Sequence, residues 1–186
     1  MHKHIPVFLL FFSLLGASFF IAALGWRVDS LLLTDDERNV LFSVPVAFGH
    51  PLTTTYIHSV ELTPVEDEYI VIGGKIWTWQ ERVKSSNAGM PCLKPDNGRY
   101  IKTAEWMIFQ GGRQSWDRYY LRVGNDTFGR NKMTLPPFGT ACLFKAFPGK
   151  RLTVAVKNGP LMFAKLYRTE ALYERLPQQR LFSAYR

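Results

Sequence analysis

The chain begins with a long apolar stretch and then changes to mixed apolar and polar positions. Residues 5–26 contain no charged side chain. A helix of that length rises about 33 Å at 1.5 Å per residue, which matches the ~30 Å hydrocarbon core of a bilayer. Trp26, at the end of the run, suits a membrane interface. Residues 1–27 are therefore predicted to form a transmembrane anchor, with an uncleaved or cleaved signal segment and a buried core helix as the alternatives.

Residues 28–40 are interpreted as a juxtamembrane connector, and residues 41–158 as a β domain. Short β-branched and aromatic runs in this region alternate with Gly, Pro and Asn turns, which is typical of an antiparallel sandwich or small barrel. The clearest local signal is Gly73-Gly74, because two glycines adopt the positive φ angles of a type I′ hairpin turn without a clash. The predicted strands are Leu41–Phe48, Thr55–Val60, Tyr69–Ile72, Lys75–Trp79, Arg99–Thr103, Glu105–Phe109, Tyr119–Val123, Thr140–Phe147 and Leu152–Val156.

The pattern changes again after residue 158. Apolar residues from Met162 to Leu176 recur near one helical face, with basic residues elsewhere. Residues 159–186 are therefore predicted to form a C-terminal amphipathic helix and tail. Such a helix packs on its own domain, docks a partner or lies on a membrane surface. The complete fold class is thus predicted to be all-β, between an N-terminal transmembrane helix and a C-terminal helix.

Charge is distributed unevenly along the chain, whose net charge is +8. Residues 1–70 hold 3 basic and 8 acidic side chains, whereas residues 71–186 hold 20 basic and 7 acidic ones. A basic half attracts anionic lipid, an acidic partner or an anionic solute. Nucleic acid is not expected as a partner, since no nucleic-acid-binding motif is present and the domain is predicted to be exported.

The two cysteines, Cys92 and Cys142, are candidates for a disulfide. An even number of cysteines in an exported domain favours a bridge. This one would close a loop of about 50 residues and contribute about 4 kcal/mol in the chain-entropy model. Two buried thiols are the alternative. Neither cysteine has CxxC spacing, so no redox role, metal site or cofactor is predicted.

Residues 56–69 concentrate polar side chains around the bend imposed by Pro64. His58, Ser59, Glu61 and Asp67 are the parts of an acid–base or nucleophilic site. In a regular strand, however, His58 and Ser59 point to opposite faces, and a carboxylate alone rarely activates a serine. Contact with a ligand or partner is a second interpretation. The third is structural, with His58 and Glu61 satisfying backbone groups at the bend. The chain is not predicted to be an enzyme.

A second candidate element is the loop from Ser85 to Pro91. Asn87 and Gly89 both tolerate left-handed backbone angles, so successive N–H groups can form an anion-binding nest. A tight turn between strands is the alternative interpretation.

These two elements resemble a bacterial family catalogued as domain-of-unknown-function family 1850. Its HSVE-x-x-PV-x-E-x-aromatic stretch is matched by residues 58–61 and 64–65, with Asp67 at the acidic position and Tyr69 at the aromatic one. Its GAG-[LM]-P loop is matched by residues 88–91, with Asn87 in place of the first glycine. The likeness covers roughly residues 41–158. Members are typically encoded beside, or fused to, the membrane subunit of TAXI-type TRAP transporters.

The resemblance implies a periplasmic accessory or binding module, with the TRAP transporter membrane subunit as a possible partner. Together with the apolar run, it suggests a single-pass protein of the bacterial inner membrane, anchored through residues 5–26, and the short amino-terminal tail favours a C-terminal domain in the periplasm. Two alternatives are a periplasmic hydrolase that uses His58 and nearby carboxylates, and an envelope protein that binds anionic lipid. The predicted ligand or partner contacts are His58, Ser59, Glu61, Pro64, Asp67, Asn87, Gly89 and Pro91.

Overall fold

The computed structural model describes residues 5–87, 89–112 and 114–168, and two antiparallel β-sheets make up most of them. The helices are α1 (Ile5–Gly25) and α2 (Leu143–Ala146), with a 3₁₀ turn at Leu161–Phe163. The strands are β1 (Arg27–Thr34), β2 (Val40–Val46), β3 (His50–Ile57), β4 (Pro64–Ile72), β5 (Lys75–Val83), β6 (Gly98–Lys102), β7 (Met107–Gly111), β8 (Ser115–Trp116), β9 (Arg118–Arg122), β10 (Gly129–Leu135), β11 (Gly139–Ala141), β12 (Arg151–Pro160) and β13 (Tyr167–Arg168).

Both sheets are built from antiparallel pairs. Sheet A has the order β13-β2-β1-β12-β9, and sheet B has the order β11-β10-β3-β4-β5-β7-β6, with β8 paired to β5. The prediction of an all-β antiparallel fold is confirmed. The Gly73-Gly74 hairpin between β4 and β5 is confirmed as well, because the two glycines have φ angles of 60° and 78°, as a type I′ turn requires.

Alternating apolar side chains form the main core where the two sheets face each other. Leu31 and Leu33 of β1 contact Leu52, Val71 and Ile76 of sheet B in one cluster, and all five are almost inaccessible to solvent. The period-two geometry of a strand explains the pattern, because every second residue points to the same side.

A second, smaller core lies further along the same face of sheet B. Val65 and Val71 are both on β4 and six residues apart, so they share a face. Val65 nevertheless belongs to a separate cluster. Its members are Val65, Val83, Met90 and Phe109, with Tyr56 and Met107 packed at the edge.

The structure corrects the connector predicted for residues 28–40. Most of that segment forms β1, which lies at the centre of sheet A between β2 and β12. Its inward side carries Asp29 in line with Leu31 and Leu33. Asp29 interrupts the alternation of apolar and polar residues that identifies a half-buried strand. The sequence pattern therefore did not identify residues 27–34 as a strand.

Asp29 is only 7% exposed, and its carboxylate accepts two hydrogen bonds. The backbone N–H of Gly74 donates to Oδ1 over 2.8 Å, and the side-chain amide of Asn158 donates over 2.7 Å. Nε of Arg27 in turn donates to Asn158 Oδ1 over 2.6 Å. Gly74 lies in the β4–β5 turn and Asn158 on β12, so one carboxylate joins the two sheets.

α1 spans 21 residues without a charged side chain and leads almost directly into β1. Within the described part of the chain, no helix combines the length and hydropathy expected of a membrane span. The backbone carbonyl of Trp26 accepts a hydrogen bond from the N–H of Leu161 over 2.8 Å. The end of α1 is therefore tied to the residues that follow β12.

The predicted C-terminal helix is wrong over the residues that the structure describes. After the 3₁₀ turn the chain becomes extended, and Tyr167 and Arg168 pair with Phe42 and Ser43 on the edge of sheet A. An open strand edge satisfies these backbone groups as well as a helix would. Positions from 169 onward lie outside the described residues. The predicted strand Thr140–Phe147 is also divided, into β11 and the short helix α2.

The predicted disulfide is not formed. Cys92 and Cys142 are both free thiols. Cys92 is exposed on the loop after β5, whereas Cys142 precedes α2 and packs against the main core. One cysteine is on an exposed loop and the other is beside the main core, and the sequence alone does not show that they lie in different parts of the fold.

Candidate functional site

The β3–β4 turn, residues 58–63, contains three of the eight predicted contact residues, His58, Ser59 and Glu61. The N–H of His58 donates to the carbonyl of Thr63 and the N–H of Leu62 donates to the carbonyl of His58, both over 2.9 Å. Leu62 has a φ of 53°, in the left-handed region that residues with a Cβ rarely occupy. Pro64 begins β4 opposite Ile57. The turn is thus a compact, internally bonded structure.

The imidazole of His58 is used inside this turn. Its Nδ1 accepts the backbone N–H of Glu61 over 3.2 Å and is 3.4 Å from the backbone nitrogen of Val60. A ring nitrogen that accepts these bonds is not free to take a proton from Ser59, whose side chain is exposed. The arrangement therefore corresponds to the structural interpretation of His58 and offers no nucleophile–base pair.

Replacing His58 tests this role. His58→Ala is expected to lower the free energy of unfolding by about 1 kcal/mol, because two backbone donors lose an acceptor. His58→Asn should lose only a few tenths of that, since the Asn side-chain oxygen accepts from the same backbone positions in turns. Urea unfolding of the detergent-solubilised chain measures both values. Equal losses for the two variants would contradict the role.

The loop after β5 forms a tight turn. Asn87 donates its N–H to Ser85 Oγ over 3.2 Å and accepts the N–H of Met90 over 3.1 Å, and Gly89 has a φ of 85°. Asn87 and Gly89 are exposed and Pro91 is partly exposed. Met90 is buried in the second core. The loop therefore covers that core, as the tight-turn interpretation requires.

The two predicted elements do come together. Ile57 pairs with Pro64, and Val65 pairs with Val83, so the β3–β4 turn and the loop after β5 leave the same end of sheet B. Asp67 lies one step inward from that end. It shares a face with Val65 and Tyr69, between the second core and the main core.

The residues between the two cores are polar. Asp67 pairs with Thr54 on β3 and with Glu81 on β5, and paired residues of antiparallel strands project to the same face. Burial raises the pKa of Asp67 from 3.8 to about 6, and hydrogen bonds from Tyr69 and Thr54 oppose the shift. Burial and the nearby Asp67 charge raise the pKa of Glu81 from 4.5 to about 7. We refer to Asp67 and Glu81 as the inner carboxyl pair.

Tyrosines surround the inner carboxyl pair. Burial and the charges of Asp67 and Glu81 raise the pKa of Tyr56 to about 12. The rings of Tyr69 and Tyr119 stack with centroids 5.2 Å apart, and burial raises the pKa of both hydroxyls well above the ordinary value. The Tyr119 hydroxyl is buried without a hydrogen-bond partner of normal geometry among the described residues. These phenols therefore remain protonated at neutral pH, and Tyr69 is the one that hydrogen-bonds Asp67 among the interactions of the described residues.

On the opposite face of the same strands, the carboxylates form ion pairs with an arginine. Arg82 contacts both Glu66, over 2.7 Å, and Glu68, so these two acids are neutralised by a cation. No basic side chain in the described residues forms an ion pair with the inner carboxyl pair. The pair therefore reduces its repulsion by holding protons in mildly acidic solution, Asp67 up to about pH 6 and Glu81 up to about pH 7. Nor does the described part of the chain group three or more His, Cys, Asp or Glu side chains around a possible metal position.

A β-bulge in β5 explains why Glu81 was not predicted to be a site residue. A hairpin continued regularly from Gly73-Gly74 would pair Asp67 with Gln80. The register instead shifts between Glu68 and Tyr69, so Trp79 is an extra residue and Glu81 becomes the partner of Asp67. The sequence did show an acidic residue at position 81, but without the bulge its side chain could not be assigned to either face of the sheet.

One family model matches part of the chain. Residues 52–135 match a model described as a domain of unknown function, DUF1850. Neither the curated proteins nor the solved structures give a match. The matched segment runs from β3 to β10 and includes both predicted elements and the inner carboxyl pair, whereas β1, β2 and β12 lie outside it. The resemblance to the DUF1850 family is therefore confirmed over residues 52–135.

Proposed function

We propose that this chain is a membrane-anchored, non-enzymatic accessory module whose β3–β4 turn contacts a membrane partner in the periplasm. The partner we propose is the membrane subunit of a TAXI-type TRAP transporter, and the resemblance to the family encoded with such subunits supports that choice. α1 would lie in the inner membrane and the two sheets outside it.

The surface of α1 supports the anchor. Leu10, Leu15 and Phe19 are each more than half exposed, and the helix carries no charge. An apolar surface of this extent is unfavourable in water unless lipid or protein covers it. Because α1 leads into β1 at the centre of sheet A, an anchor there would hold the β domain close to the bilayer.

Leu62 carries the proposal of a contact surface. It has a positive φ, which costs about 1–3 kcal/mol for a residue with a Cβ, and its side chain is 69% exposed. Asn or Gly would suit this position better in an isolated domain. An exposed leucine held in an unfavourable conformation, beside the equally exposed Val60, is explained by an apolar partner that covers it.

The chemistry of the site supports a binding role in place of catalysis. His58 Nδ1 is occupied by backbone donors of its own turn, so the hydrolase alternative lacks its general base. The inner carboxyl pair and its tyrosines offer hydrogen-bonding groups in half-buried positions.

The test is co-purification of the full-length chain with the transporter membrane subunit after mild solubilisation. Leu62→Asn is expected to reduce the recovered complex about tenfold, while the free energy of unfolding stays equal or rises, because asparagine tolerates the left-handed conformation. Phe48→Asn is the matched control. Phe48 is 85% exposed at the opposite end of β3, so its replacement should leave the complex intact.

The two variants separate the possible outcomes. A complex that is lost with Leu62→Asn and kept with Phe48→Asn supports the contact surface. Equal recovery from both variants would place the contact elsewhere, and absence of a complex with the unmodified chain would refute the partner.

A further inference from the structure

A cleft lies on the outer side of sheet A, away from both cores. The chain after β12 folds back across this side, from Pro160 to Arg168, and we call this segment the strap. Ser43 Oγ donates to the carbonyl of Lys165 over 2.9 Å, and Tyr167 pairs with Ser43, so the strap is fixed at both its middle and its end. The cleft between strap and sheet has a volume of about 660 Å³.

The walls of the cleft are apolar with a basic edge. Leu32 and Val40 of sheet A face Phe163 and Tyr167 of the strap. Two lysines, Lys157 and Lys165, and no acidic residue line the space. Neither lysine forms an ion pair with a carboxylate in the described part of the chain. The lining thus fits a molecule with an apolar part and a negative charge.

The cleft begins at the end of α1. Arg27 pairs with Pro160, Ser30 pairs with Lys157, and the N–H of Leu161 donates to the carbonyl of Trp26. The acidic turn at residues 35–37 lies beyond Asn39, at the other end of the cleft, so positive charge is concentrated towards α1.

The strap also exposes apolar side chains beside this end. Phe163 is 66% and Leu166 is 72% exposed, and the 3₁₀ turn contacts α1. Aromatic and aliphatic residues next to lysines are the composition that binds at the interface of an anionic bilayer. The exposed Trp26 belongs to the same region.

We propose that the cleft binds one anionic phospholipid of the bilayer in which α1 lies. Lys157 and Lys165 would contact the phosphate and Phe163 the apolar part of the lipid. This inference rests on the proposed function, because it requires α1 to be in the membrane.

The test is native mass spectrometry of the full-length chain in a neutral detergent with equal amounts of phosphatidylglycerol and phosphatidylcholine of identical acyl chains. The unmodified chain is expected to retain about tenfold more phosphatidylglycerol than phosphatidylcholine. The double variant Lys157→Gln/Lys165→Gln should retain the two lipids equally. Lys102→Gln/Lys132→Gln removes the same charge from exposed positions of sheet B and should keep the preference.

Several results would overturn the proposal. These are equal retention of both lipids by the unmodified chain, a preference that survives loss of Lys157 and Lys165, and a preference lost equally in the control. Lipid binding that appears only after deletion of residues 169–186 would assign the cleft to the chain's own C-terminal segment. Extraction of cell membranes with alkaline carbonate distinguishes the two proposals. Release of the chain refutes the anchor, whereas retention of the chain without lipid selectivity refutes only the cleft.

Discussion

The double variant Asp67→Asn/Glu81→Gln is expected to be more stable than the unmodified chain at pH 8, by on the order of 3 kcal/mol, with a difference that shrinks to about 1 kcal/mol at pH 5 and nearly disappears below about pH 4. Both folded-state pKa values, about 6 and about 7, lie above the ordinary values of 3.8 and 4.5. The folded state therefore holds more protons than the unfolded state between about pH 3.8 and pH 7. Stability is then highest at the acidic end of this range and falls as pH rises through 6 and 7.

The expected stability difference of about 3 kcal/mol is smaller than the two pKa shifts alone would give, because solvent reaches Glu81 and weakens the contribution of its pKa shift. Urea unfolding of the full-length chain in detergent, followed by tryptophan fluorescence from pH 5 to pH 8, measures the difference. Asp96→Asn/Glu105→Gln is the control, because both of these acids are exposed. The pH slope should remain in the control and flatten in the inner-pair variant. An unchanged slope in the inner-pair variant would mean that the two carboxyls are well solvated.

Asp29→Ala is expected to lower the free energy of unfolding by about 2–4 kcal/mol at pH 7. The substitution removes the charged acceptor that the half-buried N–H of Gly74 and the side-chain amide of Asn158 share. Both sheets lose their shared hydrogen-bonding group, so we expect a single cooperative transition at lower urea concentration and no separate unfolding of sheet B.

Asp29→Asn refines this test. Gly74 and Asn158 both donate to Oδ1 of Asp29, so the asparagine oxygen can accept from both, and only the negative charge that strengthens these hydrogen bonds is lost. An intermediate loss is therefore expected. Asp36→Ala, at an exposed site in the turn after β1, should change stability by less than about 0.5 kcal/mol. A loss no larger for Asp29→Ala than for Asp36→Ala would show that the carboxylate does not connect the sheets.

Local chemistry in the sequence was enough to predict the β architecture and one hairpin. Gly73 and Gly74 identify their turn because both need a positive φ, and this requirement is independent of the rest of the fold. The structural interpretation of His58 had the same basis, since a polar side chain at a bend satisfies nearby backbone donors. Both interpretations depend on residues within a few positions of each other.

The features that were not predicted depend on residues far apart in the sequence. Asp29 is acceptable inside β1 only because Gly74 and Asn158 donate to it, and neither is near it in the chain. Glu81 reaches the inner face only because Trp79 is an extra residue in β5. The strap becomes extended because the edge of β2 is open beside it. In each case a tertiary partner, absent from any local pattern, decides the outcome.

The pairing of β1 with β12 has a consequence for the synthesis of this protein. Arg27 and Pro160, which face each other, are separated by nearly the whole described chain. One side of β1, at the centre of sheet A, therefore stays unpaired until β12 has been made. Contacts of such long separation form slowly and leave an apolar strand exposed in the meantime. A newly made chain would thus depend on chaperone protection more than a fold closed by local hairpins does.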